Sequence, residues 1–302
     1  MTRRAKLLTF LAVFAVAGLG IAWGMSVPYP LTAADIPAHT PDIANGKELF
    51  NAAGCLSCHK PSADLKNVDA SLPAGGTAFK TPVGTFYPPN LTPDPETGIG
   101  KWTDLEFVNA VQRGISPEGE NLIPAFPYTS YARMKTSDVL DIKAYLDSLT
   151  PVVAPEKTAD IPAPWLLRRG VGIWKHIAFD TDDWQPDPTQ SAEWNRGAYI
   201  ANGAGHCNEC HTPRNMFMAF DWSKQFQGGP HPGGEGKVPS LRDLIGRGKY
   251  TDAADLTTAF QNGEMMGYEH MSSGGMGEVQ SNLSKLAESD VKAVADYISS
   301  LK

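Results

Sequence analysis

Apolar residues are distributed unevenly along the 302-residue chain, and their first concentration is an uncharged run from Leu7 to Met25. Three basic side chains precede this run within residues 1–6. Its 19 residues would form a helix about 28 Å long, close to the ~30 Å thickness of a bilayer core. The pattern predicts a membrane anchor or signal over residues 1–25, and its length favours an uncleaved anchor over a cleaved signal. The basic residues would stay in the cytoplasm, and the rest of the chain would be exported.

A Pro-containing segment over residues 26–42 has no hydrophobic period and predicts a tether. Helical periodicity then marks a domain over residues 43–150, which we call the N-terminal half. Three helical stretches follow one another: one beginning near Asn45, one from Thr103 or Asp104 as N-cap to a stop at Gly114, and one from Thr136 to a point before Pro151. The pattern predicts three helices that surround a long loop.

The pattern of the N-terminal half recurs in residues 195–302, which we call the C-terminal half. Five landmarks repeat at offsets of 148 to 152 positions: His59 and His211, Pro89 and Pro239, Thr103 and Thr251, Gly114 and Gly263, and Asp138 and Asp290. Near-constant offsets over such a length are typical of a duplicated domain. The sequence therefore predicts two copies of one unit.

Residues 151–194 lie between the two halves and contain four tryptophans. A flexible linker would carry fewer large aromatic side chains. We therefore expect an ordered strap that packs across the interface between the halves, with Trp174 and Phe179 buried.

Composition and charge change this picture only slightly. The apolar fraction of 42% is ordinary for a globular protein, and the length allows two domains. The net charge of -7 argues against a nucleic-acid partner, which would require a basic surface. Frequent Gly and Pro fit long loops better than a regular sheet, so the predicted fold class is mainly α.

Candidate chemistry comes from the cysteines, because all four lie in two Cys-x-x-Cys-His motifs. These motifs are Cys55, Cys58 and His59 in the N-terminal half, and Cys207, Cys210 and His211 in the C-terminal half. Two thiols one helical turn apart can each form a thioether with a haem vinyl group, and the next histidine can bind the iron. The motifs predict two covalently bound haem c groups with the two histidines as proximal ligands. A four-cysteine zinc site is the alternative, but both pairs are followed by His and lie far apart.

The distal position of each iron decides between electron transfer and ligand chemistry. Between the two motifs Met134 is the only methionine, so it is the predicted distal ligand of the first iron, with simple core packing as the alternative. In the C-terminal half Met276 is favoured, because the two glycines before it would let a loop approach the haem closely. His270 is its main competitor, whereas His206 should lie on the proximal side.

Longer stretches of sequence accompany these motifs. They are Trp102-Thr103-Asp104, Pro124-Ala125-Phe126-Pro127-Tyr128, Asn195-Arg196-Gly197-Ala198-Tyr199, residues 205–215 and Gly275-Met276-Gly277-Glu278-Val279. Together they resemble the multihaem cytochrome c subunits of membrane-bound alcohol, gluconate and sorbitol dehydrogenases, over about residues 46–301. The resemblance implies tandem c-type cytochrome domains with Met134 and Met276 as distal ligands. Typical members carry three haem motifs and a C-terminal membrane association, so the route through a third haem and the particular dehydrogenase are not implied.

These features predict two tandem c-type cytochrome domains with long loops, preceded by one N-terminal transmembrane helix. The protein would be a dihaem cytochrome c of the inner membrane that faces the periplasm. It would carry electrons from an exported dehydrogenase to a respiratory oxidase, a quinone or another cytochrome, without being an enzyme itself. No G-x-G-x-x-G fingerprint is present, so substrate oxidation would belong to another chain.

Two other functions compete with this prediction. A dihaem peroxidase has a similar length but keeps one iron open to peroxide, and the dihaem component of a cbb-type oxidase also carries an N-terminal anchor.

Arg168 or Arg169 would pair with haem propionates or else remain solvated.

Overall fold

The computed structural model describes residues 2–81, 84–182, 184–232, 236–263 and 275–302, and these are mainly helical. Numbered in chain order, the helices are α1 (Arg3–Met25), α2 (Ile43–Ala52), α3 (Cys55–His59), α4 (Asp104–Val108), α5 (Tyr128–Tyr131), α6 (Thr136–Asp147), α7 (Pro164–Ala178), α8 (Ala192–Asn202), α9 (Asn208–His211), α10 (Ala253–Asn262), α11 (Gly275–Leu283) and α12 (Glu288–Ser300). Two short antiparallel hairpins pair β1 (Phe79–Thr81) with β2 (Gly84–Phe86) and β3 (Gly229–Pro230) with β4 (Lys237–Val238).

The helix α1 has no buried residue. Within the part of the chain that the structure describes, it is the one helix whose length and composition would allow it to cross a membrane. The segment that follows it, the predicted tether over residues 26–42, makes contacts with the N-terminal half. Ser26 is buried, the backbone N–H of Leu31 donates to Asn109 Oδ1 at 2.7 Å, and Asn109 Nδ2 donates to the carbonyl of Leu31 at 3.2 Å. This segment therefore lies against the N-terminal half.

The helices α2 and α6 cross at the centre of the N-terminal half. Gly46 lies at the crossing, where a Cβ would be 1.9 Å from the carbonyl oxygen of Asp141. The Asp141 carboxylate accepts hydrogen bonds from the Asp42 backbone N–H and the Asn45 side chain, both at 2.7 Å, and contacts His39 Nε2 at 2.6 Å. Burial alone would raise the pKa of Asp141, but these partners lower it below the ordinary value. The ionised carboxylate thus ties the start of α2 to α6.

The helices α8 and α12 cross in the same way in the C-terminal half. A Cβ on Gly197 would lie 1.8 Å from the carbonyl oxygen of Ala293. Beside the crossing, Arg196 donates two hydrogen bonds to Asp290, from Nε at 2.9 Å and from Nη2 at 2.6 Å. Gly46 and Gly197 therefore have equivalent roles in the two halves, because only glycine allows the helices to approach this closely.

We expect Gly46→Ala and Gly197→Ala each to destabilise its half by about 1–3 kcal/mol, because the added Cβ meets a helix backbone that cannot move aside. Gly170→Ala in α7 is the matched control, since a Cβ there has nothing within 4 Å. Thermal unfolding followed by circular dichroism, at equal haem content, measures the difference. Unchanged unfolding of both crossing variants would contradict the close approach of the helices.

The helix α4 begins and ends where its sequence pattern indicates. Thr103 is its N-cap in a reciprocal capping box with Glu106, with N···O distances of 3.2 Å and 2.7 Å. The helix continues through one turn of π-helix to Gly114, which has a φ of 57°. The Tyr128 ring leaves no room there for a Cβ, which would lie 2.7 Å from it. The predicted stop at Gly114 is confirmed, and Thr103 is the cap in place of Asp104.

The segment between the halves contains α7, a helix that the sequence pattern does not predict. The prediction that Trp174 and Phe179 are buried is wrong, because both are half-buried. Lys175 is buried in their place, and its Nζ donates to the carbonyl of Gly114 at 3.0 Å and to Asn121 Oδ1 at 2.9 Å. Burial lowers the pKa of Lys175 to about 7. The lysine thus satisfies a carbonyl at the end of the helical segment that begins with α4.

The two arginines of α7 contact other residues of the protein, whereas the sequence suggested either haem propionates or solvent as their surroundings. Arg168 forms an ion pair with Glu120. Arg169 Nη1 donates to Ser26 Oγ at 3.2 Å, and its guanidinium carbon lies 4.4 Å from the centroid of the Trp23 ring. These contacts connect the strap to the N-terminal half and to the end of α1.

The two halves share one buried apolar cluster, which includes Leu49 and Val108 from the N-terminal half and Ile200 and Ile298 from the C-terminal half. Because this core is continuous, the two halves are fixed against each other. Any groups that the halves carry are therefore held at a defined separation.

Candidate haem sites

The first Cys-x-x-Cys-His motif lies directly after α2. Gly54 adopts a left-handed conformation with a φ of 59° and turns the chain into the short helix α3. Cys55 and Cys58 lie one turn apart on this helix, so both thiols face the same side. Burial raises the pKa of Cys55 to about 12. The geometry suits attachment to two points on one edge of a porphyrin.

The imidazole of His59 is oriented by a single hydrogen bond. Its Nδ1 lies 2.8 Å from the carbonyl oxygen of Pro89, which can only accept, so Nδ1 carries the proton. Burial lowers the pKa of His59 to about 4, which keeps the ring neutral. Nε2 is therefore left with a lone pair and can bind a metal ion.

The second motif repeats this arrangement. His211 Nδ1 lies 2.8 Å from the carbonyl oxygen of Pro239, and burial lowers the pKa of His211. Asn208, inside the motif, is fully buried; it donates to Asn202 Oδ1 at 2.8 Å and accepts from Thr212 Oγ1 at 2.7 Å. These bonds anchor α9, which carries the second imidazole, to the end of α8.

One position differs between the two motifs. His206 directly precedes Cys207, as Gly54 precedes Cys55, and it also has a positive φ, of 39°. A left-handed conformation costs a non-glycine residue about 1–2 kcal/mol. The half-buried imidazole faces the N-terminal half, where its ring centroid lies 6.0 Å from that of Tyr131.

The donor sets of both motifs fit a covalently attached haem. Each supplies two thiols on one helical turn and a neutral imidazole whose Nε2 is unbonded. Cys55, Cys58, Cys207 and Cys210 would hold the porphyrins, and His59 and His211 would bind the irons. For zinc, the described residues contain no group of three or more His, Cys, Asp or Glu side chains that could hold the ion. Haem is therefore the cofactor that the site geometry supports.

Met134, the predicted distal ligand of the first haem, is fully buried just before α6. Gln112 Nε2 donates to its carbonyl at 2.7 Å, and a Cβ on Gly203 would lie 3.2 Å from its Cγ. The next residue, Lys135, donates its backbone N–H to the Tyr199 hydroxyl at 3.0 Å. Met134 thus lies where the N-terminal half meets α8, and its binding to the first iron stays a prediction.

Met276, the predicted distal ligand of the second haem, lies in the first turn of α11 and not in a loop. It shares one face of that helix with Gln280 and Leu283. Gln280 donates to the carbonyl of Phe260, and Leu283 is buried, so this face points into the C-terminal half. Its binding to the second iron also stays a prediction, and the competitor His270 lies outside the described residues.

The opposite face of α11 covers the first motif. Asn282 Nδ2 donates to Ser57 Oγ at 2.9 Å, and Glu278 forms an ion pair with Lys60 at 3.3 Å. The first motif is thus completed by side chains that follow it by more than 200 positions.

The second motif is covered by the N-terminal half in a matching way. Thr129 and Ser130 in α5 donate to Glu209 Oε1 at 2.5 Å and 2.9 Å. Tyr131 lies between the motifs: its hydroxyl donates to the carbonyl of Ala53 at 2.9 Å, and its ring centroid is 6.0 Å from that of His206. Sequence reasoning missed these contacts because no local pattern reports which side chains meet across an interface.

Pro89 and Pro239 were also missed as functional residues. They stand out in the sequence only as a repeated landmark, since the Pro-x-Leu pattern recurs at an offset of 150. Their role is carried by a backbone carbonyl, which any residue possesses. The recurrence of the Pro-x-Leu pattern could have suggested this role, because each proline follows its motif histidine at nearly the same distance along the sequence.

Comparison with known proteins adds independent support. A family model for cytochrome c matches residues 43–150. A diheme cytochrome c-type protein of Cereibacter sphaeroides is 35% identical, and the match covers 98% of this chain and 97% of that protein. The fructose dehydrogenase cytochrome subunit of Gluconobacter japonicus is 32% identical over 96% of this chain and 57% of its own length. A nicotinate dehydrogenase subunit of Pseudomonas putida is 38% identical over 86% of this chain and 21% of its own length.

The chain thus spans little more than half of the fructose dehydrogenase subunit and about a fifth of the nicotinate dehydrogenase subunit. With the diheme cytochrome it shares nearly the whole length of both proteins. Cytochromes c carry electrons on their irons, and the protein supplies binding and orientation. The chain therefore belongs to the cytochrome c family, with cytochrome c subunits of dehydrogenases among its relatives, and it is an electron-transfer protein.

Proposed function

We propose that this protein is a membrane-tethered dihaem cytochrome c that takes electrons from an exported dehydrogenase and passes them to the respiratory chain. The observation that carries the proposal is the duplicated donor set, in which each proximal imidazole is fixed by a proline carbonyl at 2.8 Å. The relatives support a dehydrogenase as the donor, since several are named as dehydrogenase subunits.

Each haem, when bound, supplies reversible one-electron chemistry at its iron. The residues of the chain attach the porphyrins, orient the neutral imidazoles through the proline carbonyls and provide Met134 and Met276 as distal donors. Methionine ligation raises the potential of an iron and closes it to small ligands. The shared core then keeps the two sites at a constant separation, as repeated electron transfer requires.

The tandem organisation is part of the proposal. We assign one c-type domain to residues 43–150 and a second to residues 195–302, with residues 151–194 as the strap between them. The equivalent helix crossings at Gly46 and Gly197 support this division. The helix α1 would hold both domains on the periplasmic side of the inner membrane, and its length and apolar composition support that role.

The donor can be identified by affinity capture of the full chain from solubilised membranes. We expect a dehydrogenase subunit to copurify, and we expect its substrate to reduce both haems in the captured complex without added mediator. Reduction by dithionite alone, with no copurifying dehydrogenase, would contradict the proposed donor.

The peroxidase alternative is tested by adding carbon monoxide to the reduced protein. Because two Met-ligated irons would be closed, we expect the absorption spectrum to stay nearly unchanged. Carbon monoxide binding at one of the two haems would contradict the proposal and favour a ligand-binding enzyme.

A further inference from the structure

The strap helix α7 lies beside the point where α1 ends. Arg169 stacks on Trp23 at 4.4 Å, a Cβ on Gly172 would lie 2.3 Å from the carbonyl oxygen of Ser26, and the His176 and Tyr29 rings are 5.2 Å apart. The three contacts follow the same order along both segments. The helix α7 therefore runs parallel to the chain that leaves α1, with its first turn on the side of the membrane helix.

The first turn of α7 is strongly apolar, and two of its large side chains are exposed among the described residues. Trp165 is 67% exposed and Leu166 is 56% exposed. Trp165 precedes Arg169 by four positions, about 6 Å along a helix. Arg169 lies at the level of Trp23 along α1. The first turn of α7 therefore lies at the level of Trp23 or closer to the middle of α1.

We propose that the first turn of α7 (residues 164–167) inserts into the membrane interface beside α1, as a second contact with lipid. The inference rests on the proposed tether, because α1 sets the level of the bilayer. Tryptophan is enriched at the membrane–water interface, where its ring is apolar and its N–H remains hydrated. Leu166 adds apolar surface, and the turn carries no acidic residue that insertion would bury.

Continuity with α1 identifies lipid as the occupant of this surface. The apolar side chains of α1 are exposed along the helix, as expected of a segment solvated by lipid, and the first turn of α7 extends this surface sideways. Arg169 stacked on Trp23 lies at the boundary, where a guanidinium can reach headgroups while its stem remains on the aromatic ring.

A contact at two points would orient the protein. A single helix followed by a chain segment allows the attached domains to tilt relative to the bilayer. Two contacts with lipid, at α1 and at the first turn of α7, would restrict this tilt. Lys175 and Arg168 connect α7 to the N-terminal half, so this orientation is transmitted to the first haem site.

The test uses spin labels on single introduced cysteines in the full-length holoprotein, reconstituted in liposomes of neutral phospholipid. The sites are Trp165→Cys, with Leu166→Cys as a second probe of the same turn, and Ile177→Cys as the matched control. Ile177 is 56% exposed at the other end of α7. A fourth label, Leu19→Cys, reports on α1. Power saturation with oxygen and with a water-soluble nickel chelate measures lipid and water exposure, and the ratio of the two cancels the relaxation by the haem irons.

We expect the ratio of oxygen to nickel accessibility to be several-fold higher at positions 165 and 166 than at position 177. Equal ratios at both ends of α7, with Leu19→Cys still in lipid, would overturn the inference and leave the tether intact. A turn shielded from both reagents would indicate a protein partner or a second copy, and would overturn it too. A water-exposed label at position 19 would overturn the tether itself, and with it the inference.

Discussion

The variant Cys207→Ala/Cys210→Ala is expected to retain one covalent haem, and the wild-type protein is expected to carry two. Without thiols the second porphyrin has no thioether bond, and extraction with acidified acetone removes it, whereas the first porphyrin stays attached. The pyridine haemochrome absorbance per mole of protein should therefore fall by half. The result tests the haem count and the independence of the two sites together.

The reciprocal variant, Cys55→Ala/Cys58→Ala, is the matched control and should give the same loss. Alanine keeps the short helices α3 and α9 intact, because it is the best helix former. A wild-type content of one haem per chain would contradict the two-site assignment. Loss of both haems from either variant would show that attachment at one motif requires the other.

Replacing the two proposed distal ligands is expected to have the second large effect, on redox potential. Met134→His and Met276→His should each lower the potential of one haem by roughly 0.1 V or more, a fraction of the ~0.8 V range over which axial ligands set haem potentials. Imidazole donates more electron density to ferric iron than a thioether and so stabilises the oxidised state. Potentiometric titration followed in the visible spectrum should resolve one shifted haem and one unshifted haem in each variant.

Met216→His is the control, because Met216 is 88% exposed in a surface loop and is expected to change neither potential. Met134→His could instead shift the potential of the second haem, which is the one that the Cys207→Ala/Cys210→Ala variant lacks. In that case the fully buried Met134 is a ligand in the C-terminal half, towards which its side chain packs. If Met276→His moves neither potential, the second distal ligand lies elsewhere and Met276 is a packing residue of α11.

Features encoded by local spacing could be predicted from the sequence. The two motifs place their thiols on single helical turns, the near-constant offsets reveal equivalent landmarks, and the cap at Thr103 and the stop at Gly114 mark one helix closely. The motifs, the cap and the stop each depend on residues within a few positions of one another, and the offsets need only a comparison of the two halves. The geometry of a single helical turn is then enough to fix the positions of the thiols and the limits of the helix.

Features that depend on long-range packing could not be predicted. The sequence pattern predicts that the strap buries Trp174 and Phe179, yet it buries Lys175, because carbonyls at the end of a helix in the N-terminal half accept its hydrogen bonds. The left-handed backbone at His206 likewise places its ring against Tyr131, which lies on the other side of the interface. Hydrophobicity does not indicate which partner a polar side chain will meet.

The mutual cover of the two motifs has a consequence for the order in which the protein matures. The first motif is enclosed by Glu278 and Asn282, and Ala287 donates its N–H to Glu48 in α2 at 3.0 Å. These residues are synthesised last. If the chain is exported as proposed, the thiols of Cys55 and Cys58 would stay open to the attachment enzymes during translocation, and the C-terminal half would close over them only after it emerges.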